Sequence, residues 1–126
     1  MEIRESAEMY LETILILSQN KVHVRSIDIV NKLEYKKSSV SIAMKNLREE
    51  NYINVDQEGY ITLTAKGKKI ADTIFERHVF FADWLKKLGV DATIALDDAC
   101  RIEHVISAES FSAIREYVKN CLANNN

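Results

Sequence analysis

Three residues in the C-terminal third of the chain could bind a metal ion together. Cys100, Glu103 and His104 are three and four residues apart, so a helix through them would present all three side chains on one face. Thiolate, carboxylate and imidazole are the groups that most readily bind first-row divalent metals. One helical turn cannot complete such a site, so further ligands must come from other segments. The candidates are Met9, Glu12 and His78.

Each of these residues also has a simpler explanation. Cys100 alone could be a small buried apolar residue, Glu103 a solvated charge, and His78 a core histidine bonded to a neighbour. An enzyme would instead use Cys100 as a nucleophile and His104 as its base. No Gly-rich oxyanion element accompanies that pair, so we expect no enzyme.

Length and composition limit the class of protein. The chain has 126 residues, of which 47% are hydrophobic and 29% charged, which suits one compact core or two small coupled ones. No apolar run approaches the roughly 18 residues needed to span a bilayer, and the first residues show no signal-peptide pattern. Two separated cysteines then favour a reducing compartment. We therefore expect a cytoplasmic protein without a membrane partner.

Charge is unevenly distributed along the chain. The formal net charge is only −2, but residues 21–48 carry seven basic and two acidic residues. A basic face of this kind can bind nucleic acid, although it can also be an ordinary solvated surface.

The N-terminal half predicts three helices. Apolar residues recur at helical spacing in the first, which should end near residues 19–21. Ser26 can cap a short second helix, and Ser38 or Ser39 can cap a third after a turn at residues 34–37. Two short helices joined by a tight turn predict a helix-turn-helix. The stripe of the first helix is Ile3, Ala7, Tyr10, Ile14 and Leu17.

The following segments predict a wing and a helical second half. Residues 52–55 and 60–63 alternate around a turn that contains Gly59, which predicts a β-hairpin. Thr64 can cap a long helix that Gly89 ends, and later helices can begin at Asp91 or Asp97 and at Ser107. The fold class is therefore mainly α, with an N-terminal winged helix-turn-helix. We place the winged-helix domain at 1–70 and a helical domain, which carries most of the candidate metal ligands, at 71–126.

Three segments carry a resemblance to a known family. They are Ser-Ala-Glu-Met-Tyr-Leu at 6–11, Leu-Thr-Ala-Lys-Gly at 63–67 and Asp-Ala-Cys-Arg-Ile-Glu-His-Val-Ile-Ser at 98–107. With them the chain resembles, over essentially its whole length, the diphtheria-toxin-repressor family. These are bacterial metal-dependent transcriptional repressors. The resemblance implies a winged-helix DNA-binding domain at 1–70 and a helical metal-binding and dimerisation domain at 71–126.

The resemblance implies a ligand set of mixed type. Met9, Cys100, Glu103 and His104 match the primary activating site of the iron-sensing branch. Glu12 and His78 match ligands of the manganese-sensing branch, in which an Asp replaces Met9 and a Glu replaces Cys100. All six positions hold residues that can bind a metal.

Two departures from the iron-sensing branch bear on a second metal. Ala82 and Leu96 stand where that branch has two ligands of its ancillary site, and the chain ends at Asn126, before the SH3-like domain of that branch. We therefore expect no ancillary site of the iron type. A second ion would instead use Glu12 and His78 with Glu103 shared.

Ligand softness indicates the metal. A thioether and a thiolate favour later, softer ions over Mn²⁺, so Met9 and Cys100 favour Fe²⁺, with Mn²⁺ next. Co²⁺, Ni²⁺ and Zn²⁺ should also bind in vitro, following the Irving–Williams order. By resemblance, the metal is a co-repressor for a homodimer on operator DNA. The alternative is a winged-helix regulator without metal that responds to a small molecule or to oxidation of Cys100.

Residues for the two macromolecular contacts can also be named. At the start of the third helix, lysines and serine hydroxyls suit phosphates and some base edges, whereas Ile42 stands where a polar base-reading residue would be expected. The predicted DNA contacts are Arg25, Lys36, Lys37, Ser38, Ser39 and Ser41. The candidates for the dimer interface, each of which could equally be core, are Phe80, Phe81, Trp84, Ile106 and Phe111.

Overall fold

A computed structural model describes residues 5–124 of the chain and confirms the mainly α fold with a two-stranded hairpin. Of the predicted apolar stripe of the first helix, Ile3 lies outside these residues. The elements are α1 (Glu5–Asn20), α2 (Ser26–Leu33), α3 (Lys37–Glu49), β1 (Ile53–Val55), β2 (Ile61–Leu63), α4 (Ala65–Lys87), α5 (Ala92–Val105) and α6 (Ala108–Asn124).

The chain divides within α4, between Phe75 and Glu76, into a first and a second compact unit. This division lies close to the predicted boundary after residue 70, and the assignment of domains to 1–70 and 71–126 stays a prediction. Among the helices at residues 5–124, none is long and apolar enough to cross a membrane.

The helix-turn-helix of the first unit is α2, a tight turn and α3. Glu34 has the left-handed φ of 58° and its N–H bonds to the Val30 carbonyl, so α2 ends sharply there. The apolar faces of the helices then meet in one core. Its fully buried members include Leu11 and Ile14 of α1, Ile29 of α2 and Val40 of α3.

The caps of α2 and α3 differ from the prediction. Helix α2 begins at Ser26 with Arg25 as its N-cap, because the Asp28 carboxylate accepts the Arg25 backbone N–H at 2.9 Å. Helix α3 begins at Lys37, before either predicted serine cap, and its N-cap Lys36 makes no side-chain bond. Its first turn is instead closed by the bond from the Val40 N–H to the Lys36 carbonyl. The predicted caps at Ser26 and at Ser38 or Ser39 are therefore wrong.

The wing is an antiparallel hairpin in which Ile53 pairs with Leu63 and Val55 with Ile61. Asp56 Oδ1 accepts the N–H groups of Glu58 and Tyr60 at 3.0 and 2.8 Å, which closes the turn. Gly59 supplies the positive φ of 83° that this turn requires.

The junction between the wing and α4 is closely packed. Thr64 is the predicted cap of α4, and its Oγ1 accepts the Gly67 N–H at 3.1 Å. The same hydroxyl donates to the Asn51 carbonyl at 2.7 Å, and the Thr64 N–H donates to the Tyr52 carbonyl at 3.1 Å. This brings Gly67 so close that a Cβ there would lie 2.0 Å from the Tyr52 oxygen.

The second unit is built from the rest of α4, α5 and α6. Gly89, with φ of 101°, follows the end of α4 as predicted. Of the two predicted caps for α5, Asp91 is the one used, because its carboxylate accepts the Thr93 N–H at 3.1 Å. Ser107 Oγ accepts the Ser110 N–H at 3.0 Å and caps α6.

Candidate metal centre and DNA-binding face

Three of the predicted ligands meet inside the second unit. His78 comes from α4, and Cys100 and Glu103 come from one turn of α5. His78 Nδ1 lies 2.8 Å from Glu103 Oε2 and 3.7 Å from Cys100 Sγ. One ligand atom from each residue lies within 4.8 Å of the other two.

His104 contacts the other side of the same carboxylate. Its Nε2 lies 3.2 Å from Glu103 Oε1, whereas His78 approaches Oε2. The Glu103 side chain is 0% exposed, and its carboxylate lies between the two imidazoles. Cys100, Glu103 and His104 therefore do not form a single cluster. Cys100 and His78 lie on one side of the Glu103 carboxylate, and His104 lies on the other.

The position of α5 against α4 depends on Arg77, which sequence reasoning missed. Its Nη1 donates to the Glu103 carbonyl at 3.2 Å and to the Ile106 carbonyl at 2.8 Å. These carbonyls belong to the last turn of α5 and the residue after it, where a helix leaves acceptors unused. Arg77 therefore fixes the turn that carries Glu103 and His104. The only sequence feature that could have indicated this role is its position directly before His78.

The environment of His78 favours its charged form. Hydrogen bonding to Cys100, and then to the Glu103 carboxylate, raises the pKa of His78 to about 10 against the opposing effect of burial. In the metal-free protein, a proton on Nδ1 therefore neutralises the buried Glu103 carboxylate. A divalent ion would replace that proton, because only neutral imidazole binds a metal.

The donor set fits a first-row divalent metal. Ligand atoms bound to one ion at about 2.0–2.3 Å lie about 3–4 Å apart, which is close to the observed spacing. An imidazole nitrogen, a thiol sulfur and a carboxylate oxygen are the donors that such ions accept. His78, Cys100 and Glu103 can therefore hold a metal with little movement.

The two remaining predicted ligands lie on α1 in the first unit. Met9 is half-buried, and its Sδ accepts a hydrogen bond from Tyr35 Oη at 3.4 Å. Glu12 is among the buried polar residues of the chain. A role for both as metal ligands stays a prediction.

The predicted DNA contacts on α3 face solvent. Val40, Met44 and Leu47 are buried against the first unit, so the opposite face of α3 is outward. Ile42 is 62% exposed at the centre of that face. The exposed predicted contacts here are Lys36, Lys37, Ser38, Ser39 and Ser41.

Arg25, the sixth predicted contact, lies at the other end of the helix-turn-helix. It is exposed, and its guanidinium carbon lies 4.7 Å from the centroid of the Tyr60 ring in the wing. The neighbouring Asp28 pairs with Lys21 at 2.9 Å. That hydrogen bond, followed by the bond from the Arg25 backbone, lowers the pKa of Asp28.

The aromatic candidates for dimerisation divide into core and partly exposed residues. Phe81 and Phe111 are buried with Ala82 and Ala99 in the core of the second unit, so they are structural. Phe80, Trp84 and Ile106 pack on that core and keep part of their surface exposed. Other exposed apolar side chains of the second unit, which were not among the dimerisation candidates, include Val79, Ile94, Val105 and Tyr117.

Family models match both halves of the chain. Residues 2–61 match the model described as iron dependent repressor, N-terminal DNA binding domain. Residues 64–124 match iron dependent repressor, metal binding and dimerisation domain. The HTH-type transcriptional regulator MntR of Shouchella clausii (strain KSM-K16) is 36% identical over 114 residues, which cover 90% of this chain and 80% of that protein.

Solved structures have the same fold. The manganese regulator SloR matches with a TM-score of 0.79 and 23% identity, over 94% of this chain and 55% of that one. A manganese-dependent transcriptional repressor in complex with manganese matches with a TM-score of 0.81 and 23% identity, over 90% of this chain and 52% of that one. The chain thus spans about half of the length of these two proteins.

These matches confirm the resemblance noted in the sequence, including duplex DNA and a second copy of the chain as partners. The family consists of DNA-binding repressors, so the enzyme alternative for Cys100 and His104 is excluded. The chain therefore belongs to the family of iron-dependent repressors, which are metal-dependent, DNA-binding transcriptional repressors.

Proposed function

We propose that this chain is a repressor of metal-homeostasis genes for which Fe²⁺ is the co-repressor, with Mn²⁺ as the second candidate. The observation that carries the proposal is the Cys100 sulfur, 3.7 Å from His78 Nδ1 in the cluster that also holds Glu103. A thiolate at this place favours iron over manganese, since Mn²⁺ prefers oxygen and nitrogen donors.

The proposed ligands are six. His78, Cys100, Glu103 and His104 come from the second unit, and their mutual distances support the assignment. Met9 and Glu12 on α1 are included because the family resemblance implies them. The ion would supply positive charge to the buried Glu103 carboxylate, in place of the proton on His78.

Manganese remains the second candidate for a specific reason. One similar solved protein is described as a manganese regulator and another as a manganese-dependent repressor, although at 23% identity they show the fold alone. The carboxylates of Glu12 and Glu103 and the imidazoles of His78 and His104 would suit Mn²⁺. The two sulfur residues, Met9 and Cys100, are what favour iron here. Co²⁺, Ni²⁺ and Zn²⁺ would also bind in vitro, following the Irving–Williams order.

On DNA, we propose that the outward face of α3 enters the major groove in each half of a homodimer. Lys36, Lys37, Ser38, Ser39 and Ser41 would contact the phosphates and nearby base edges, and Arg25 the backbone beside them. Thermodynamic linkage then requires DNA to tighten metal binding by the same factor as metal tightens DNA binding.

The test is DNA binding by fluorescence anisotropy under anaerobic conditions, on a palindromic duplex that the protein selects from a random pool. Titrations would be run with chelator, with Fe²⁺ and with Mn²⁺. We expect metal to tighten binding, Fe²⁺ at the lower concentration, and both Glu103→Ala and His104→Ala to abolish the activation. Equal binding with chelator and with metal would instead support the regulator without metal that responds to a small molecule or to thiol oxidation.

Substitutions at the two free cysteines test the metal preference, with Cys100 as the proposed ligand and Cys121 as the control. Cys100→Glu replaces sulfur with oxygen at the same position and should shift the preference toward Mn²⁺. Cys121, the other free cysteine, lies half-buried on α6, and Cys121→Ser should leave the preference unchanged. An unaltered ratio of Fe²⁺ to Mn²⁺ activation in Cys100→Glu would contradict the iron assignment.

A further inference from the structure

An aromatic pair in the first unit lies beside Arg25 and has no part in the metal centre. The rings of His23 and Tyr60 are stacked, with centroids 3.9 Å apart and planes 6° from parallel. The Arg25 guanidinium carbon lies 4.7 Å from the centroid of the same Tyr60 ring. Tyr60 therefore contacts both side chains through its ring.

Backbone contacts hold these residues in place. The Val24 carbonyl accepts the Ile61 N–H at 2.7 Å, which ties the segment before α2 to the second strand of the wing. Arg25 is extended, with φ of −122° and ψ of 165°, and its N–H bonds to Asp28. The side chains of His23 and Arg25 therefore both lie against the Tyr60 ring.

The Arg25 side chain is exposed, and its charge acts on Asp28 only from beyond ion-pair distance. Asp28, the nearest acidic residue along the chain, pairs with Lys21, and within residues 5–124 no carboxylate lies within 4.0 Å of the Arg25 guanidinium. A guanidinium can lie over an aromatic ring while N–H donors at its edge stay free to bind another group. Those donors are suited to bidentate binding of a phosphate.

We propose that Tyr60 and His23 are positioning residues, which hold the Arg25 guanidinium beside the wing so that its edge binds a phosphate of the operator. Tyr60 supplies the ring on which the guanidinium rests, and His23 holds the orientation of that ring. The inference rests on the proposed DNA-binding mode, because it takes Arg25 as a phosphate contact. It adds the wing to the binding surface and assigns the wing the role of ordering one arginine.

The test is anisotropy on the selected duplex with metal-loaded protein, over a range of salt concentrations. Arg25→Ala should weaken binding at least about tenfold and reduce the slope of log affinity against log salt by about one per protomer, the effect of one lost phosphate contact. Tyr60→Leu should weaken binding by about three- to tenfold. Tyr60→Phe, which keeps the ring, should bind like the unaltered protein.

A double-mutant cycle distinguishes positioning from a general structural role. In the Arg25→Ala background, Tyr60→Leu should have no further effect on affinity, because the group it positions is gone. His23→Ala, at an exposed position, is a second variant that should weaken binding without changing the unfolding midpoint. Lys86→Ala, at an exposed position near the end of α4, is the control for loss of any positive charge.

Two results would overturn the inference. One is unchanged affinity and salt slope in Arg25→Ala. The other is an equal loss from Tyr60→Leu with and without Arg25, which would make Tyr60 purely structural. Absence of metal-dependent DNA binding by the unaltered protein would contradict the proposed function instead, so the two failures are distinguishable.

Discussion

Replacing Gly67 with alanine should destabilise the first unit, although alanine is the better helix former. Gly67 lies in the first turn of α4, and the methyl group in Gly67→Ala would be 2.0 Å from the Tyr52 carbonyl oxygen. An ordinary carbon contact is about 3.5 Å, so the start of α4 must move more than about 1 Å from the segment before β1.

The magnitude follows from what that movement disturbs. The Tyr52 carbonyl accepts the Thr64 N–H at 3.1 Å, and the neighbouring Asn51 carbonyl accepts the Thr64 hydroxyl at 2.7 Å; each bond contributes about 1 kcal/mol. Forcing a methyl group into packed structure costs about 1–3 kcal/mol. The higher helix propensity of alanine returns about 1 kcal/mol. We expect the free energy of unfolding to fall by about 2–4 kcal/mol.

Thermal and urea unfolding would measure this change. For a unit of this size, 1 kcal/mol corresponds to about 4–8 °C, so the midpoint should fall by roughly 10–25 °C. The single Trp of the chain is Trp84, in the second unit, so its fluorescence follows that unit, while circular dichroism follows both. The larger shift should therefore appear in circular dichroism.

Lys69→Ala is the matched control, since it changes an exposed residue of the same helix and should shift the midpoint little. If Gly67→Ala unfolds at the same midpoint as the unaltered protein, or higher, the close approach to Tyr52 does not limit stability, and the reasoning is wrong.

Three further predictions concern the metal centre, the metal-free fold and α3, the proposed recognition helix. Since the pKa of His78 is raised to about 10, metal must displace its proton, and metal affinity should rise by up to about tenfold per pH unit between pH 7 and 9. Titrations with Co²⁺ would measure the slope of log metal affinity against pH, and His78→Ala should reduce this slope by about one. A slope of zero in the unaltered protein would contradict the prediction. The same shift stabilises the metal-free fold fully below pH 6.5, and this contribution is lost as the pH rises to about 10. Ile42, exposed on the outward face of α3, is expected to contact a thymine methyl group. Replacing thymine by uracil in the selected duplex should weaken binding several-fold for the unaltered protein but not for Ile42→Ala. The exposed Ile27→Ala is the control and should respond like the unaltered protein. If all three proteins lose the same affinity on the uracil duplex, Ile42 does not make the contact.

Local patterns in the sequence predicted the elements of the fold. The order of helices and hairpin, the stop at Gly89 and the caps Thr64 and Ser107 each depend on neighbours within a few residues, so spacing was sufficient. The caps of α2 and α3 were predicted wrongly because more than one residue near each helix start could act as the cap. Asp28 reaches back to the Arg25 N–H, and the serines at the start of α3 lie within its first turn.

Contacts between elements were harder to predict. The spacing of Cys100 and Glu103 indicated a common site, and the helical register of His78 allowed it to join them. The roles of Arg77 and Tyr60 depend on which helix end or ring lies opposite each of them, and only the packed structure determines that. A side chain that acts across 20 or more residues leaves no periodic signal in the sequence.

The hydrogen bond from Tyr35 Oη to Met9 Sδ connects a proposed ligand with the turn before the recognition helix. A thioether sulfur has two lone pairs, so an ion could bind one while the phenol keeps the other. With Met9→Asp, the same phenol would meet a charged oxygen and be bound more strongly. The residue at position 9 would thus set two properties at once. One is the hardness of the donor atom offered to the ion. The other is the strength of the hydrogen bond that holds Tyr35 and the turn before α3. Selection for a different metal at this position would therefore also alter how firmly the start of α3, the proposed DNA-binding helix, is held.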